Sequence, residues 1–508
     1  MNKTIFKYLE ATAQKYPDKI AFADAKREIT FADFVRESKN IGTVLARKGF
    51  TKRPVAVFLE KSVAALTCMM GVNYSGNFYT VVDNKMPADR IENILHTLEP
   101  VVILTDSKNR EKIADLAGDA EIMLVDEVSD EYDQALLDDV YARIIDTDIM
   151  YVLFTSGSTG TPKGTILNHR AVISYIHWFT ETFKIDRKTV FGSQTPFYFS
   201  MSVSDVFATM VAGATFYIIP KMYFSFPVKL IEFLNEKKIN TIYWVPSALC
   251  IVANFKTLDV VKPKYLKKIL FAGEQMPMKQ LNMWRKKLPR AMYANLFGPT
   301  ETVDICAYYV VDREFKDDEI LPIGRACDNC GLLVVDEENH LVTEVGAEGE
   351  LCARGSFLCS GYYKNPEKTA EVLVQNPLNN IYPELVYKTG DIVKLNARGE
   401  YEHVTRKDFQ IKHMGYRIEL GEIESSISAI AEVDTSICIY DADSSKIVLF
   451  YLSGSLDELE VLELVKKKVP KYMVPQEVIK LASVPYNANG KIDRKKLGKD
   501  YKEGVFAK

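Results

Sequence analysis

Short runs of apolar residues alternate with longer stretches of helical pattern through most of the chain. The runs include VAVFL, FYTVV, VVILT, MYVLFT, TFYII and KKILFAG, and stretches such as AALTCMMGVNYSG and PVKLIEFLNEKK lie between them. Continuous apolar strands that alternate with helices are typical of parallel sheets covered by helices. The sequence therefore predicts an α/β fold whose main part is a set of stacked, mostly parallel sheets with helices.

The pattern changes near residue 320. GLLVVDEEN, EGELCARG and GEYEHVTRKDFQIK indicate shorter strands joined by tight turns. We expect a large N-terminal domain over 1–406, with a smaller, barrel-like β-rich subdomain over 320–406. Residues 407–508 combine helical stretches such as LEVLELVKKK with strands such as KIVLFYLS, which predicts a small α+β C-terminal domain.

The composition narrows the class of protein. With 508 residues the chain is too long for one ordinary core, so we expect two or more domains. Lys and Arg total 64 against 68 Asp and Glu, a net charge of -4, which argues against nucleic acid as the main partner. No apolar run reaches the length of a membrane span, and the first residues lack the apolar core of a signal peptide. We therefore expect a cytoplasmic enzyme.

The eight cysteines form no recognisable zinc pattern. Only Cys327 and Cys330 form a CxxC pair, and a zinc site requires a second pair or nearby histidines. We expect the cysteines to be reduced.

The stretch YVLFTSGSTGTPKG, residues 151–164, ends an apolar run in small hydroxyl and glycine residues. Such a loop presents backbone N–H groups and hydroxyls to an anion, and Lys163 adds a positive charge. It is not a Walker loop, because Lys163 follows Pro162 and Gly164 stands where Ser or Thr would hold magnesium. Two interpretations remain open from these residues alone, a phosphate-binding loop and a flexible surface turn.

Five further motifs follow this stretch. They are FAGEQMP (271–277), NLFGPTET (295–302), YKTGD (387–391), TRKDFQIKHMGYRIELGEIE (405–424) and PYNANGKIDRKKL (485–497). In this order the six motifs resemble those of the adenylate-forming superfamily, which includes acyl-CoA synthetases, luciferases and the adenylation domains of nonribosomal peptide synthetases. The resemblance covers essentially the whole chain. It implies that a carboxylate is joined to ATP, with release of pyrophosphate, to give an acyl-adenylate that is then passed to a thiol.

The resemblance implies a role for each motif. Thr300 would contact the α-phosphate, Glu301 would bind Mg²⁺, and Lys491 would bridge the substrate carboxylate, the ribose and the leaving phosphate region. Phe297 would stack on adenine and Asp391 would accept hydrogen bonds from the ribose hydroxyls. The full set of implied ATP-binding residues is Thr155, Ser156, Gly157, Ser158, Thr159, Gly160, Lys163, Gly273, Glu274, Asn295, Phe297, Gly298, Asp391, Arg406 and Lys491. For Lys491 the alternative is an ordinary surface lysine in a basic tail.

The resemblance also implies that the C-terminal domain is mobile. Asp408 stands at the hinge, and rotation about it would withdraw Lys491 after the first half-reaction. The loop around Lys412 and Gly415 would then reach the active site, where Gly415 lets a pantetheine thiol pass close to the backbone. Thr405 departs from the pattern, because the family commonly has Gly at this position.

The acid-binding pocket is implied by the same resemblance. Its residues are Ser200, Met201, Ser204, Tyr243, Leu270, Ala272, Leu296, Asp304 and Ile305, together with Lys491. Amino-acid-activating relatives carry Asp at the position of Ser200, and a serine hydroxyl cannot neutralise an α-ammonium group. We hypothesise that Asp304 instead anchors a cationic group displaced from the α position, as in a β-amino acid. The alternative is a solvent-exposed Asp304 just past the magnesium motif.

The chain most resembles stand-alone amino acid–carrier protein ligases such as the D-alanine ligases. Those ligases keep the Asp and carry Cys at the position of Ala272, which weakens D-alanine as the substrate. The sequence has no carrier-domain serine motif and no HHxxxDG condensation motif. We therefore expect transfer to the phosphopantetheine of a separate carrier protein. The alternatives are an acyl-CoA synthetase for an aryl or short organic acid, and a protein that binds adenylates without catalysis.

Overall fold

The largest sheet of the computed structural model has nine strands, counted over the residues that the structure describes: 2–157, 162–407, 410–428, 430–485 and 492–506. From one edge to the other its strands are Arg325–Ala326, Ala307–Val310, Met292–Phe297, Lys268–Ala272, Thr241–Trp244, Val190–Ser193, Thr215–Ile218, Ile20–Ala23 and Glu28–Thr30. The six strands from Met292–Phe297 to Ile20–Ala23 run parallel, and antiparallel pairs occur only towards the two edges. The parallel strands are the apolar runs of the sequence, because both faces of such a sheet are buried.

A second sheet has six strands in the described part of the chain. Their order is Glu121–Leu124, Val102–Thr105, Pro54–Val57, Phe78–Val81, Ile149–Thr155 and Lys163–Asn168. The pairs from Glu121–Leu124 to Ile149–Thr155 are parallel. Two such sheets with intervening helices confirm the predicted α/β fold class.

Helices lie between the strands, and some of them begin at a capping side chain. In the larger part of the chain they are Ile5–Lys15, Phe31–Arg47, Val63–Tyr74, Ala88–Leu98, Arg110–Ala114, Gln134–Arg143, His169–Thr182, Met201–Ala212, Pro227–Glu236, Pro246–Asn254, Thr257–Val260, Met278–Lys287 and Pro366–Val372. The Asn168 side chain accepts from the Ala171 N–H at 2.8 Å and so starts His169–Thr182. None of the helices among the described residues is long and apolar enough to cross a membrane.

The predicted β-rich region is an antiparallel sheet. Its strands follow the order Cys330–Val335, Glu348–Gly355, Leu385–Leu395 and Leu373–Gln375, and Tyr401–Arg406 also pairs with Leu385–Leu395. Asp391 therefore lies directly opposite Arg406 on the neighbouring strand. This register brings together one residue from each of two motifs that the sequence separates.

The chain divides into two compact units. The first comprises Met1–Asn84, Thr97–Phe154 and Gly164–Lys407, and the second comprises Lys85–His96, Thr155–Lys163 and Asp408–Lys508. The sequence did not predict that 85–96 and 155–163 pack with the C-terminal residues. The expected domains, 1–406 and a mobile 407–508, stay a prediction.

The second unit has its own cores. A hairpin joins Gln410–His413 to Tyr416–Glu419, and a three-stranded sheet has the order Thr435–Asp441, Lys446–Leu452 and Glu477–Lys480. The helices in its C-terminal part are Leu420–Ser428, Glu458–Lys468 and Arg494–Lys502. Buried side chains such as Ile423, Leu449 and Val465 form one apolar cluster between these elements.

Candidate active site

The motif NLFGPTET continues the strand Met292–Phe297 into a tight turn. A Cβ atom on Gly298 would lie 2.4 Å from the carbonyl oxygen of Asp304, so only glycine allows this approach. Val303 has a φ of 64° and a ψ of -57°, and the Asp304 N–H donates to the Thr302 carbonyl at 2.8 Å. This is a γ-turn with positive φ, which is strained for a β-branched residue. Backbone strain of this kind persists only where the surrounding structure holds the residue in place. Asp304 is the next residue, so the strained turn helps to position it.

Four hydroxyl groups surround the carboxylate of Asp304. Its Oδ2 accepts from Ser204 at 2.8 Å, from Tyr243 at 2.9 Å and from Tyr175 at 3.2 Å. Its Oδ1 accepts from Ser200 at 3.2 Å. The predicted pocket residues Ser200, Ser204, Tyr243 and Asp304 are therefore brought together.

Tyr175 belongs to the same cluster and was missed from the sequence. It lies in the apolar stretch of the helix His169–Thr182, where a tyrosine is typical of an ordinary core position. No local signal distinguishes it, because its partner Asp304 is far away in the chain.

The Asp304 carboxylate is buried, with 2% of its surface exposed. The alternative of a solvent-exposed residue therefore does not hold. Burial raises the pKa of Asp304 above its ordinary value, and the hydrogen bonds from the four hydroxyls lower the pKa in part. Among the described residues, no Lys or Arg forms an ion pair with this carboxylate.

Other predicted pocket residues lie on one face of the nine-stranded sheet. Tyr243 pairs with Leu270, and Ala272 pairs with Leu296, on neighbouring strands. Paired residues point to the same side, and Leu270 and Ala272 are two positions apart on one strand, so these four side chains share a face. Ile305 is buried next to Asp304 in the chain. Met201 is buried, but it directly follows Ser200 at the start of the helix Met201–Ala212. Its side chain therefore points to a different face of the helix from those of Ser200 and Ser204.

Glu301 is fully buried and held by a tyrosine. The Tyr362 hydroxyl donates to Glu301 Oε1 at 2.6 Å, and the Cys359 N–H donates to the Glu301 carbonyl at 2.7 Å. Thr300 precedes it in a short 3₁₀ turn, Thr300–Thr302, and is buried as well. Tyr362 carried no sequence signal, because it lies in a separate segment that reaches Glu301 only through the fold.

The FAGEQMP segment leaves the strand Lys268–Ala272 at Gly273. The carboxylate of the next residue, Glu274, accepts from the Ser247 N–H at 2.8 Å, at the first turn of the helix Pro246–Asn254. This acidic side chain satisfies a backbone donor at a helix start and is favourably placed in the helix dipole. Asn295 is also held by the backbone, since its Nδ2 donates to the Pro322 carbonyl at 2.8 Å.

The YKTGD motif places Asp391 in a charged cluster. The carboxylate is buried, with the Arg406 Nη1 at 3.0 Å from Oδ2 and the His403 Nε2 at 3.1 Å from Oδ1. The His403 ring centroid lies 5.8 Å from that of Phe297. His403 therefore joins the residues predicted for ribose and for adenine, and it was not among the residues predicted from the sequence.

Lys61 and the buried Asp205 carry opposite charges and are linked through the Ser193 side chain. Lys61 Nζ donates to the Ser193 hydroxyl at 3.0 Å, and the Ser193 side chain also hydrogen-bonds Asp205. Burial lowers the pKa of Lys61 and raises that of Asp205, while their mutual attraction opposes both shifts. Neither residue was predicted from the sequence as a site residue.

The remaining predicted residues belong to the second unit or lie outside the described residues. In the second unit the Thr155 hydroxyl donates to the Lys163 carbonyl at 3.5 Å, and the Ser156 hydroxyl donates to the Arg417 carbonyl at 2.7 Å. Gly157 follows them. Ser158, Thr159, Gly160, Asp408 and Lys491 lie outside the described residues.

The expected thiolation loop is a tight hairpin turn. Met414 and Gly415 have φ values of 52° and 80°, and His413 pairs with Tyr416 across them. Positive φ at both central residues is the geometry of a two-residue hairpin turn, which explains glycine here without reference to a thiol. Lys412 pairs with Arg417 on the facing strand.

The fold and the order of these segments define an enzyme of the adenylate-forming class. The family model described as AMP-binding enzyme matches residues 9–363. The chain belongs to this family, which confirms the resemblance seen in its motifs.

The relatives agree with this assignment. Zwittermicin A synthase ZmaJ of Bacillus cereus is 31% identical over 510 residues, which cover 98% of this chain and 95% of that protein. Tyrocidine synthase 1 of Brevibacillus parabrevis is 30% identical over 500 residues, covering 97% of this chain. The chain spans only 45% of the length of that synthase.

Solved structures share the fold at low identity. The Vibrio cholerae adenylation domain AlmE, in complex with glycyl-adenosine-5'-phosphate, has a TM-score of 0.86 and 21% identity, with 99% of this chain and 98% of that chain covered. Holo-PA1221, which contains adenylation and PCP domains, has a TM-score of 0.82 and 19% identity, with 97% and 84% covered.

Proposed function

We propose that this chain activates an amino acid or related carboxylic acid with ATP and then transfers the acyl group to the phosphopantetheine thiol of a separate carrier protein. The observation that supports the proposal most strongly is the cluster of Phe297, His403, Asp391 and Arg406. An aromatic face, a buried carboxylate and a guanidinium within one cluster are what an adenosine with its ribose hydroxyls and a phosphate requires.

In the proposed first step a carboxylate oxygen attacks the α-phosphorus of ATP, and the bond to pyrophosphate breaks. Negative charge develops on the phosphate oxygens, so positive charge and donors are needed there. We assign these tasks to Thr300, Lys163 and Lys491. In the second step the thiol sulfur attacks the acyl carbon, its proton is lost, and AMP leaves.

Glu301 is the residue that we propose for Mg²⁺. A carboxylate is the oxygen ligand that this hard cation prefers, and Glu301 offers one in a fully buried position. The hydroxyl of Tyr362 fixes the orientation of the carboxylate through Oε1. The residues present therefore fit the metal, which when bound neutralises charge on the phosphates of ATP.

The carrier protein is proposed from the relatives. Relatives of this chain are synthases by name, among them Tyrocidine synthase 1 and Zwittermicin A synthase ZmaJ, and holo-PA1221 is described as an NRPS protein that contains adenylation and PCP domains. An acyl-CoA synthetase is the second candidate, favoured by Ser200 in place of the usual Asp.

The test is acid-dependent exchange of labelled pyrophosphate into ATP, with Lys491→Ala as the inactive control. Exchange with at least one acid supports the first step, and an absence of exchange with every acid overturns it. The acceptor is then decided by incubating the enzyme, acid and ATP with a phosphopantetheinylated carrier protein, with the same carrier lacking phosphopantetheine, or with CoA. A mass increase of the acyl group on the modified carrier alone supports transfer to a carrier. Acylation of CoA alone would assign the second candidate function.

A further inference from the structure

Among the described residues, the donors around the buried carboxylate of Asp304 are all neutral hydroxyls. Its hydrogen bonds come from Ser200, Ser204, Tyr175 and Tyr243, and 2% of the residue is exposed. Hydroxyl dipoles stabilise a buried anion only in part, and buried charges in proteins are ordinarily paired with an opposite charge. Within the described residues the opposite charge is not supplied by this chain. A ligand that carries a cation would supply it.

The two oxygens of Asp304 differ in how many donors they have. Among the described residues, Oδ2 has three hydroxyls within hydrogen-bond distance, whereas Oδ1 has that of Ser200 alone, at 3.2 Å. An ionised carboxylate has about four acceptor positions over its two oxygens, so Oδ1 has capacity for a further donor. Oδ1 is also the oxygen on the side of Ser200, the position from which relatives neutralise an α-ammonium group.

The hydroxyl protons are arranged to keep the carboxylate an acceptor. Ser204 and Tyr175 lie 2.8 Å apart, and each has a single proton to donate. When the Ser204 hydroxyl donates to Asp304, the Ser204 oxygen accepts from Tyr175. The tyrosine therefore orients the serine proton towards the carboxylate. Tyr243 donates to the same oxygen from the neighbouring strand end. With the Tyr175 proton directed to Ser204, the Ser204 and Tyr243 hydroxyls donate to Oδ2, and these two donors favour the ionised form of Asp304, which is the form that binds an ammonium group.

We infer that the acid carries a protonated amine beyond its α-carbon, and that this ammonium binds Asp304 Oδ1 beside the Ser200 hydroxyl. The inference rests on the proposed function. The Ser200 hydroxyl and Oδ1 are 3.2 Å apart, so the cation is displaced by one hydrogen-bond length from the place that an α-ammonium occupies in relatives. Along a carbon chain, one or two further carbon–carbon bonds of about 1.5 Å each cover a displacement of this size. The substrate class is therefore β-amino acids and acids whose amine lies one bond further.

Pyrophosphate exchange with matched acids tests the inference. The panel pairs β-alanine with propionate, and 3- and 4-aminobutyrate with butyrate, and adds D- and L-alanine and glycine. At least one amine-bearing acid of the pairs should exceed its partner lacking the amine, and both alanines, by about 10-fold or more in kcat/KM. Equal exchange with an acid lacking an amine, or a preference for an α-amino acid, overturns the inference and leaves the proposed function intact. No exchange with any acid would overturn the proposed function itself.

One variant removes the negative charge of the pocket and a double variant moves it. Asp304→Asn should lower kcat/KM for the preferred acid by about 100-fold, because one partner of a buried charge pair is lost, with the KM for ATP unchanged. The exposed Asp328→Asn is the matched control and should leave both parameters unchanged. The double variant Ser200→Asp/Asp304→Asn should shift the preference towards α-amino acids.

A milder variant separates positioning from folding. Tyr175→Phe keeps the ring and removes only the hydroxyl that orients Ser204, so it should raise the KM for the acid several-fold while kcat and the KM for ATP change little. A direct measurement accompanies it: β-alanine or 3-aminobutyrate should raise the melting temperature of the folded wild-type protein more than propionate or butyrate does. If Asp304→Asn has the melting temperature of the wild type and also keeps the acid preference of the wild type, the proposed role of Asp304 is contradicted.

Discussion

Gly298 packs so closely against the carbonyl oxygen of Asp304 that a Cβ atom at Gly298 would lie 2.4 Å from this oxygen. The contact fixes the loop that follows NLFGPTET against its own strand. It also links the predicted nucleotide segment to the carboxylate in the acid pocket, because the two residues approach through their backbones. A change that displaces the backbone at Gly298 is therefore expected to affect both substrates.

Gly298→Ala should lower acid-dependent exchange by at least about 10-fold and raise the KM for both ATP and the acid. The added methyl group forces backbone displacement, and overpacking of this kind costs about 1–3 kcal/mol of stability. Gly454→Ala is the control, because a Cβ at Gly454 meets nothing within 4 Å. Normal KM values in Gly298→Ala would show that the loop adjusts without consequence.

The contact between His403 and Asp391 leads to a prediction about ATP alone. His403→Leu removes the nitrogen that lies 3.1 Å from Asp391 Oδ1 and the ring beside Phe297. The KM for ATP should rise by about 3–10-fold, the effect of losing about one ordinary hydrogen bond, while the KM for the acid stays constant. His403→Gln, which retains a donor, should lie between the two proteins.

Tyr362→Phe tests how Glu301 is held. The variant removes the hydroxyl that donates to Glu301 Oε1 at 2.6 Å and leaves a fully buried carboxylate with one donor fewer. The expected cost is about 1.5–3 kcal/mol in free energy of unfolding. If Glu301 binds Mg²⁺ as proposed, the Mg²⁺ concentration for half-maximal exchange should rise as well. A loss of stability with an unchanged Mg²⁺ requirement would limit Tyr362 to a structural role.

The α/β fold was predictable because a strand buried on both faces needs an unbroken apolar run, as in MYVLFT and KKILFAG. The motif residues were predictable because their spacing is local. Tyr175, Tyr362 and His403 were not, since each acts on a carboxylate brought close only by the packed sheets. The burial of Asp304 also depends on the γ-turn at Val303, and a valine carries no sequence signal for positive φ.

The pair Lys61 and Asp205 should contribute to stability only as a pair. Asp205 is 1% exposed, and Lys61→Met removes the positive charge that partly offsets the burial of this carboxylate, at a cost of about 1–3 kcal/mol. The double variant Lys61→Met/Asp205→Asn should recover most of that loss. Urea unfolding of the two single variants and the double variant measures the coupling, and additive losses would show that the two charges do not interact.

His169 should make the protein sensitive to acid. Its side chain is 3% exposed, and burial lowers its pKa to about 4, below the ordinary value of about 6.5. Its Nδ1 has no hydrogen-bond partner among the described residues, so the neutral ring lies in an environment that gives a proton little compensation.

The direction of the pH effect follows from the lowered pKa. Between pH 6.5 and 4 the unfolded chain binds a proton at this histidine and the folded chain does not, so stability falls as the pH falls through this range. The full contribution is present above about pH 6.5, and about 3 kcal/mol is lost by about pH 4. His169→Gln should flatten the dependence of the unfolding free energy on pH in this window. His340→Gln is the control, because the His340 side chain is 78% exposed. Urea unfolding at a series of pH values measures both variants, and identical slopes for His169→Gln and the wild type would show that His169 does not govern the response to acid.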